Sequence, residues 1–191
     1  MQNKIFINCP YDDDYKQFFF ALIYICEFFG YDPIFAACDE SSSDRMENIV
    51  NCIKESRYSI HDISKINEKN PRYNMPFELG MYYMHIRETD STKKMLILEG
   101  EKNKSDITLS DLSGSEIKCH NNDLEGVFRC VRPFFVQLGC SKKDSPNRMY
   151  KEYLLNCLRE IDTRAKENGY ESYLDLDSLE YKRYIEEYCL S

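Results

Sequence analysis

Asp62 and Glu78 are the residues of this chain whose type and setting could do chemistry. Asp62 lies within Ser59-Ile60-His61-Asp62-Ile63-Ser64, and Glu78 lies within Asn74-Met75-Pro76-Phe77-Glu78-Leu79-Gly80. A carboxylate on an otherwise apolar helix face is costly unless it lines a polar pocket. A strand ending at Asp62 and a helix carrying Glu78 in its first turn would put both groups in one cleft. That pair suits cleavage of a sugar–base bond. One carboxylate attacks the anomeric carbon or stabilises its cation; the other assists the leaving base and then activates the acceptor. Glu78 is the candidate nucleophile and Asp62 the candidate for base contact or acid–base work. Tyr11 would orient the nucleophile, and Asn8 would hold sugar or phosphate.

Each residue also has a structural use. Glu78 could offset a helix dipole, and Asp62 could cap the turn after its strand. Asp12, Asp13 and Asp14 fit a solvated helix entry better than a metal site. His61 alternates away from Asp62 and reads as structural.

The elements that must position these groups follow from periodicity. Lys4 to Pro10 is a short apolar run that reads as a buried strand. Tyr15, Phe18, Leu22, Ile25, Cys26 and Phe29 recur at helical spacing up to Gly30. A second strand is expected over Asp32 to Cys38. Asp44 with Glu47 forms a capping-box pattern ahead of the stripe Met46, Ile49, Val50 and Ile53. Arg57 to Ile63 is the third strand, and Phe77, Gly80, Met81 and Met84 would share one face of the Glu78 helix. Lys94 to Leu98 and Glu116 to His120 are further strands. Leu124, Val127, Phe128 and Val131 start a helix that Pro133 should kink or divide. The alternation from residue 4 to about 139 predicts an α/β fold, a flavodoxin-like, mainly parallel sheet flanked by helices. Residues 1–140 would form that domain and 141–191 a helical extension. In the extension, Ser145-Pro146 caps one helix, Gly169 ends it, and Tyr173 to Cys189 forms another. Its tyrosines fit either an oligomer interface or packing on the domain itself. Ligands of such sheets bind beyond the carboxyl ends of the strands, where Asp111, His120 and Asn121 would join the first group.

Composition narrows the function classes. A net charge of -8 and a pI near 5.0 argue against direct nucleic-acid binding and against docking on an anionic membrane. No 18-residue apolar run occurs, and Met1-Gln2-Asn3-Lys4 has no signal-peptide organisation, so a cytoplasmic location is expected. The nine cysteines, at 9, 26, 38, 52, 119, 130, 140, 157 and 189, contain no C-x-x-C pair, which points to reduced thiols and no metal site. Neither G-x-G-x-x-G nor G-x-x-x-x-G-K is present.

At these residues the chain resembles the superfamily of nucleoside 2-deoxyribosyltransferases and TIR (Toll/interleukin-1 receptor) domains, in an uncharacterised bacterial branch. Phe6-Ile7-Asn8-Cys9-Pro10-Tyr11 is similar to the first-strand signature whose following loop contacts substrate. Pro76-Phe77-Glu78-Leu79-Gly80 is similar to the F-E-[IL]-G motif that carries the nucleophile, and Asp62 to the strand-end acid that contacts the base. The resemblance covers about residues 3 to 139. It implies a catalytic role for Glu78 and substrate contacts from Asn8, Cys9, Pro10 and Tyr11. The deoxyribosyltransferases commonly read D-x-G-x-x-x-E before the helix, whereas Asn70-Pro71-Arg72-Tyr73-Asn74 stands here. Arg72, with Asn74, therefore favours a phosphorylated substrate, a nucleotide or NAD, bound as substrate and not as cofactor. Relatives of this kind often act in antiphage defence, which implies a homo-oligomer or a defence partner. The competing class is a non-catalytic nucleotide sensor or a TIR-like assembly domain.

Overall fold

The computed structural model describes residues 3–36, 44–66, 68–89, 92–102, 109, 112, 116–142 and 144–190. Five parallel strands form one sheet: β1 (Lys4–Asn8), β2 (Asp32–Ile34), β3 (Tyr58–Asp62), β4 (Lys94–Glu99) and β5 (Ile117–Cys119), in the order β2-β1-β3-β4-β5. This is the flavodoxin-like order, and it reverses between β1 and β3, where Asn8 pairs with His61. Strands β1 and β4 are nearly continuous apolar runs because both sheet faces are covered, whereas the equally buried β3 carries Ser59, His61 and Asp62.

One face carries α1 (Lys16–Phe28) and α4 (Leu124–Gln137). The other carries α2 (Arg45–Glu55) and α3 (Asn74–Thr89). Helix α1 is buried from Phe18 through Cys26, more than a surface helix allows, because a third layer lies on it. That layer consists of α5 (Pro146–Glu152), a π turn (Tyr153–Cys157), α6 (Leu158–Glu167) and α7 (Ser178–Leu190). Phe20 stacks on Tyr181 with ring centroids 3.6 Å apart, and the Tyr153 and Tyr181 hydroxyls are 3.0 Å apart. Ile5, Ile7, Phe19, Val131, Tyr153, Ile161 and Ile185 share one core, so three of the C-terminal tyrosines, Tyr153, Tyr181 and Tyr184, are buried within their own chain.

Several elements differ from the sequence reading. Strand β2 ends at Ile34, and Phe35 and Ala36 are buried without continuing it; Ala37 and Cys38 lie outside the described residues. Pro133 does not divide α4. It sits on the exposed side, while burial of Val131, Phe134 and Phe135 outweighs the ~3 kcal/mol that an interior proline costs. The last helical segment is a 3-10 turn (Tyr173–Asp175) followed by α7, not one helix. On helix α3, Met75, Glu78, Leu79 and Tyr82 are buried, whereas Phe77, Gly80 and Met84 face solvent and Met81 is half-buried. Two apolar stripes run along opposite sides of this helix, and periodicity alone could not choose between them. Helix α3 also opens at Asn74, so Glu78 lies in its second turn.

Candidate functional site

The carboxyl end of the sheet holds two polar clusters, one on each face. Strand alternation sends Tyr58, Ile60 and Asp62 toward α1 and α4, and Ser59 and His61 toward α2 and α3.

On the α1 side, Asp62 is wholly buried. Its carboxylate accepts from the Tyr15 hydroxyl at 2.5 Å, from the Ser64 backbone N–H at 3.0 Å and from the Ser64 hydroxyl. His120 Nε2 lies 3.3 Å from the same carboxylate, 3.0 Å from Ser64 Oγ and 3.2 Å from the Tyr15 hydroxyl. His120 Nδ1 is buried with no partner among the described residues. Serine, histidine and acid meet here, but Ser64 and Asp62 share one ring nitrogen. A relay needs the acid on the other nitrogen, so this is not a nucleophilic triad. Burial, with the charge and hydrogen bond of Asp62, holds the Tyr15 hydroxyl well above its usual range.

Ion pairs tie the flanking loops together beside this cluster. Lys65 lies 2.6 Å from Asp14 and 3.5 Å from Asp12, with its Nζ 5.8 Å from the Tyr15 ring centre. Arg72 donates from Nε to Asp12 at 2.9 Å and makes a second contact through its Nη2. Arg72, expected to meet a substrate phosphate, is paired in this structure with Asp12 of a neighbouring loop and is 47% exposed.

On the α3 side, Asn8 anchors the helix start. Its amide donates to the Met75 carbonyl at 2.9 Å and lies 3.0 Å from His61 Nδ1, while His61 Nε2 is 2.9 Å from Ser59 Oγ. Burial lowers the His61 pKa to about 3, so the ring is neutral, with Nδ1 accepting from Asn8 and Nε2 donating to Ser59. Glu78 is 3% exposed, four residues along α3 from Asn74. Burial pushes its carboxyl up to about 7, opposed by the Arg45 cation and by a hydrogen bond from Asn74. Arg45, at the start of α2, was missed in the sequence. It lies far from Glu78 along the chain and beside the N-cap Asp44, and no local pattern marks it.

Asp62 and Glu78 therefore approach the sheet end from opposite faces. Both act on the Cys9 thiol, which burial first, and then these two carboxylates, drive well above its ordinary value. Cys9 and Pro10 are buried, and the half-buried Tyr11 bonds its hydroxyl back to the Ile7 carbonyl at 3.3 Å. Asn121 is exposed at φ 57 in the turn before α4 and accepts from the Cys119 thiol at 3.2 Å. Asp111 lies outside the described residues. Tyr15 and Ser64 were also missed. Tyr15 sat in an apolar stripe, but Ser64, two residues after Asp62, fits an Asx turn and could have been found.

Among the described residues one acidic group, Glu27, Asp32 and Glu186, has ligand-like spacing. Lys182 Nζ already lies 2.5 Å from Asp32 and 3.5 Å from Glu186, supplying the positive charge an ion would bring. No described helix is long and apolar enough to cross a membrane. No protein-family model and no curated protein matches the sequence.

Proposed function

We propose that the protein is an N-glycosidase or glycosyltransferase that cleaves the sugar–base bond of a nucleotide or NAD, with Glu78 as its nucleophile. The observation that carries this is a carboxyl buried on an apolar helix face, raised to about 7, beside the switch point of the sheet. In the ionised form, a Glu78 oxygen bonds to the anomeric carbon as the bond to the base nitrogen breaks and its electron pair leaves with the base. Water or an acceptor hydroxyl then displaces Glu78 from the sugar, restoring the carboxylate, and its proton passes to the departed base or, where the base leaves neutral, to solvent. Asn74 orients the carboxylate, and Arg45 keeps it ionisable and faces the anionic part of the substrate. Asp62 is given a positioning role, because its oxygens are engaged by Tyr15, Ser64 and His120. The resemblance to the deoxyribosyltransferase and TIR superfamily supports the same chemistry and a setting in antiphage defence.

Confinement of Asp62 to the far face leaves Glu78 without Asp62 as a second carboxylate beside it, which also suits a nucleotide sensor that does not turn over. Mass-spectrometric product analysis of wild type and Glu78→Gln with NAD and a ribo- and deoxyribonucleotide panel separates the two. Base released by wild type alone supports the glycosidase. Equal release by both proteins removes Glu78 from the chemistry. Tight binding of one nucleotide without release supports the sensor.

A further inference from the structure

The C-terminal layer meets the sheet through a cluster of like charges. Glu27 in the last turn of α1, Asp32 at the start of β2 and Glu186 of α7 are all half-buried, and their carboxylate oxygens lie within 4.8 Å of one another. The cation among them is Lys182 of α7, 2.5 Å from Asp32 and 3.5 Å from Glu186. Other groups nearby leave this balance unchanged. Burial drives the Cys26 and Cys189 thiols and the Tyr31 hydroxyl upward, so all three stay neutral near pH 7. Lys4 is turned to Glu55 at 2.7 Å, and Lys142, across the same hollow, rests over the Phe28 ring at 4.1 Å.

Three carboxylates cannot all ionise around one ammonium without repelling one another, and uptake of a proton relieves them. Glu27 is the group that takes it. Lys182 lies against the other two, while burial and then the Glu186 charge push the Glu27 carboxyl up to about 7.

We propose that this cluster is an acid-tightened latch, in which a proton on Glu27 holds α7 against α1 and its loss loosens the C-terminal helix. Tyr181, Tyr184 and Ile185 keep α7 docked in either state, so the proton sets how often the helix opens. In the open state Glu27 returns to water and to its ordinary 4.5. Between 4.5 and about 7 the closed state holds a proton that the open state has released, so closure weakens as pH rises through that window and is steady above it. The latch is independent of the reaction assigned to Glu78.

Hydrogen exchange of the intact chain, read by mass spectrometry at pH 5 and pH 8, tests it. Wild type is compared with Glu27→Gln, which keeps the shape of the protonated side chain and has no charge to gain. The ratio of the two proteins at each pH removes both the intrinsic pH dependence of exchange and the contribution of Glu78. In wild type, α7 should exchange faster than β3, the mark of a separate opening. The protection that the variant gains over α7 should grow at least about tenfold from pH 5 to pH 8. Glu186→Gln, at a carboxylate 42% exposed, removes the repulsion from the α7 side and should shrink the pH response of wild type. A variant-to-wild-type ratio that is equal at both pH values, an α7 that opens only together with β3, or a response unchanged by Glu186→Gln overturns the latch.

Discussion

The Tyr15 hydroxyl donates to Asp62 Oδ2 at 2.5 Å, joining the start of α1 to the end of β3 in the buried heart of the sheet edge. Tyr15→Phe keeps the ring and removes this donor, leaving a buried carboxylate short of a partner. The expected cost is about 2 kcal/mol, or roughly 4–8 °C in Tm for a chain of this size. Calorimetry reads it directly, and an unchanged Tm would show that the bond adds nothing over the alternatives open to Asp62.

His120 reaches Asp62 because the backbone of α4 comes close. A Cβ at Gly126 would stand 2.2 Å from the His120 carbonyl oxygen, nearer than any real contact allows. Gly126→Ala must push the turn away and draw the imidazole out of the cluster, at a cost of about 1–3 kcal/mol. The His120 ring protons should move in the NMR spectrum together with the tyrosine signals of Tyr15. A variant with wild-type shifts and stability would deny the close approach any role.

Glu78 makes stability depend on pH in a definite sense. Its carboxyl, ordinarily at 4.5, titrates at about 7 in the folded chain. Between those values the native state holds a proton that the unfolded chain has released, so this group lowers stability as pH rises through that window. Below 4.5 the effect is absent, and above 7 it is complete, at about 3 kcal/mol. Glu78→Gln should therefore match wild type near pH 4.5 and exceed it in Tm by roughly 5–10 °C at pH 8. Glu27, also pushed up to about 7 by burial, contributes equally to both proteins and cancels from the comparison. Equal Tm values at pH 8 would mean that burial does not penalise the Glu78 charge.

Arg45 acts in the opposite direction on the same carboxyl. Arg45→Met removes the cation and should move the Glu78 midpoint above about 7, detectable by carboxyl ¹³C titration. Any base-releasing activity that needs ionised Glu78 should shift its pH profile upward with it. A midpoint that stays in place would detach Arg45 from the site.

The parallel sheet was legible because the apolar runs of β1 and β4, with the shorter strands between and beside them, alternate with helical repeats capped at Asp44 and Ser145. Glu78 was legible as a charge out of place. The partition of the site was so only in part. That Asp62 and His61 point to opposite faces follows from strand alternation and was legible; which face each takes was not, because it is set by whether Tyr15 or Asn8 waits there. Arg72 reads as a free cation until the loop that carries Asp12 is folded beside it. The orientation of α3 depended on a choice between two stripes of equal quality, settled by the packing of Leu79 and Tyr82 on the sheet.

The borders of the sheet restrict how this chain can be joined by another. Its outer strands, β2 and β5, span three residues each, and the middle residue of β2 is Pro33, which has no N–H to offer an incoming strand. A visiting polypeptide finds too short a ladder on either margin to extend it. Among the described residues neither margin favours recruitment by strand addition, which shifts recognition of this protein toward its side chains.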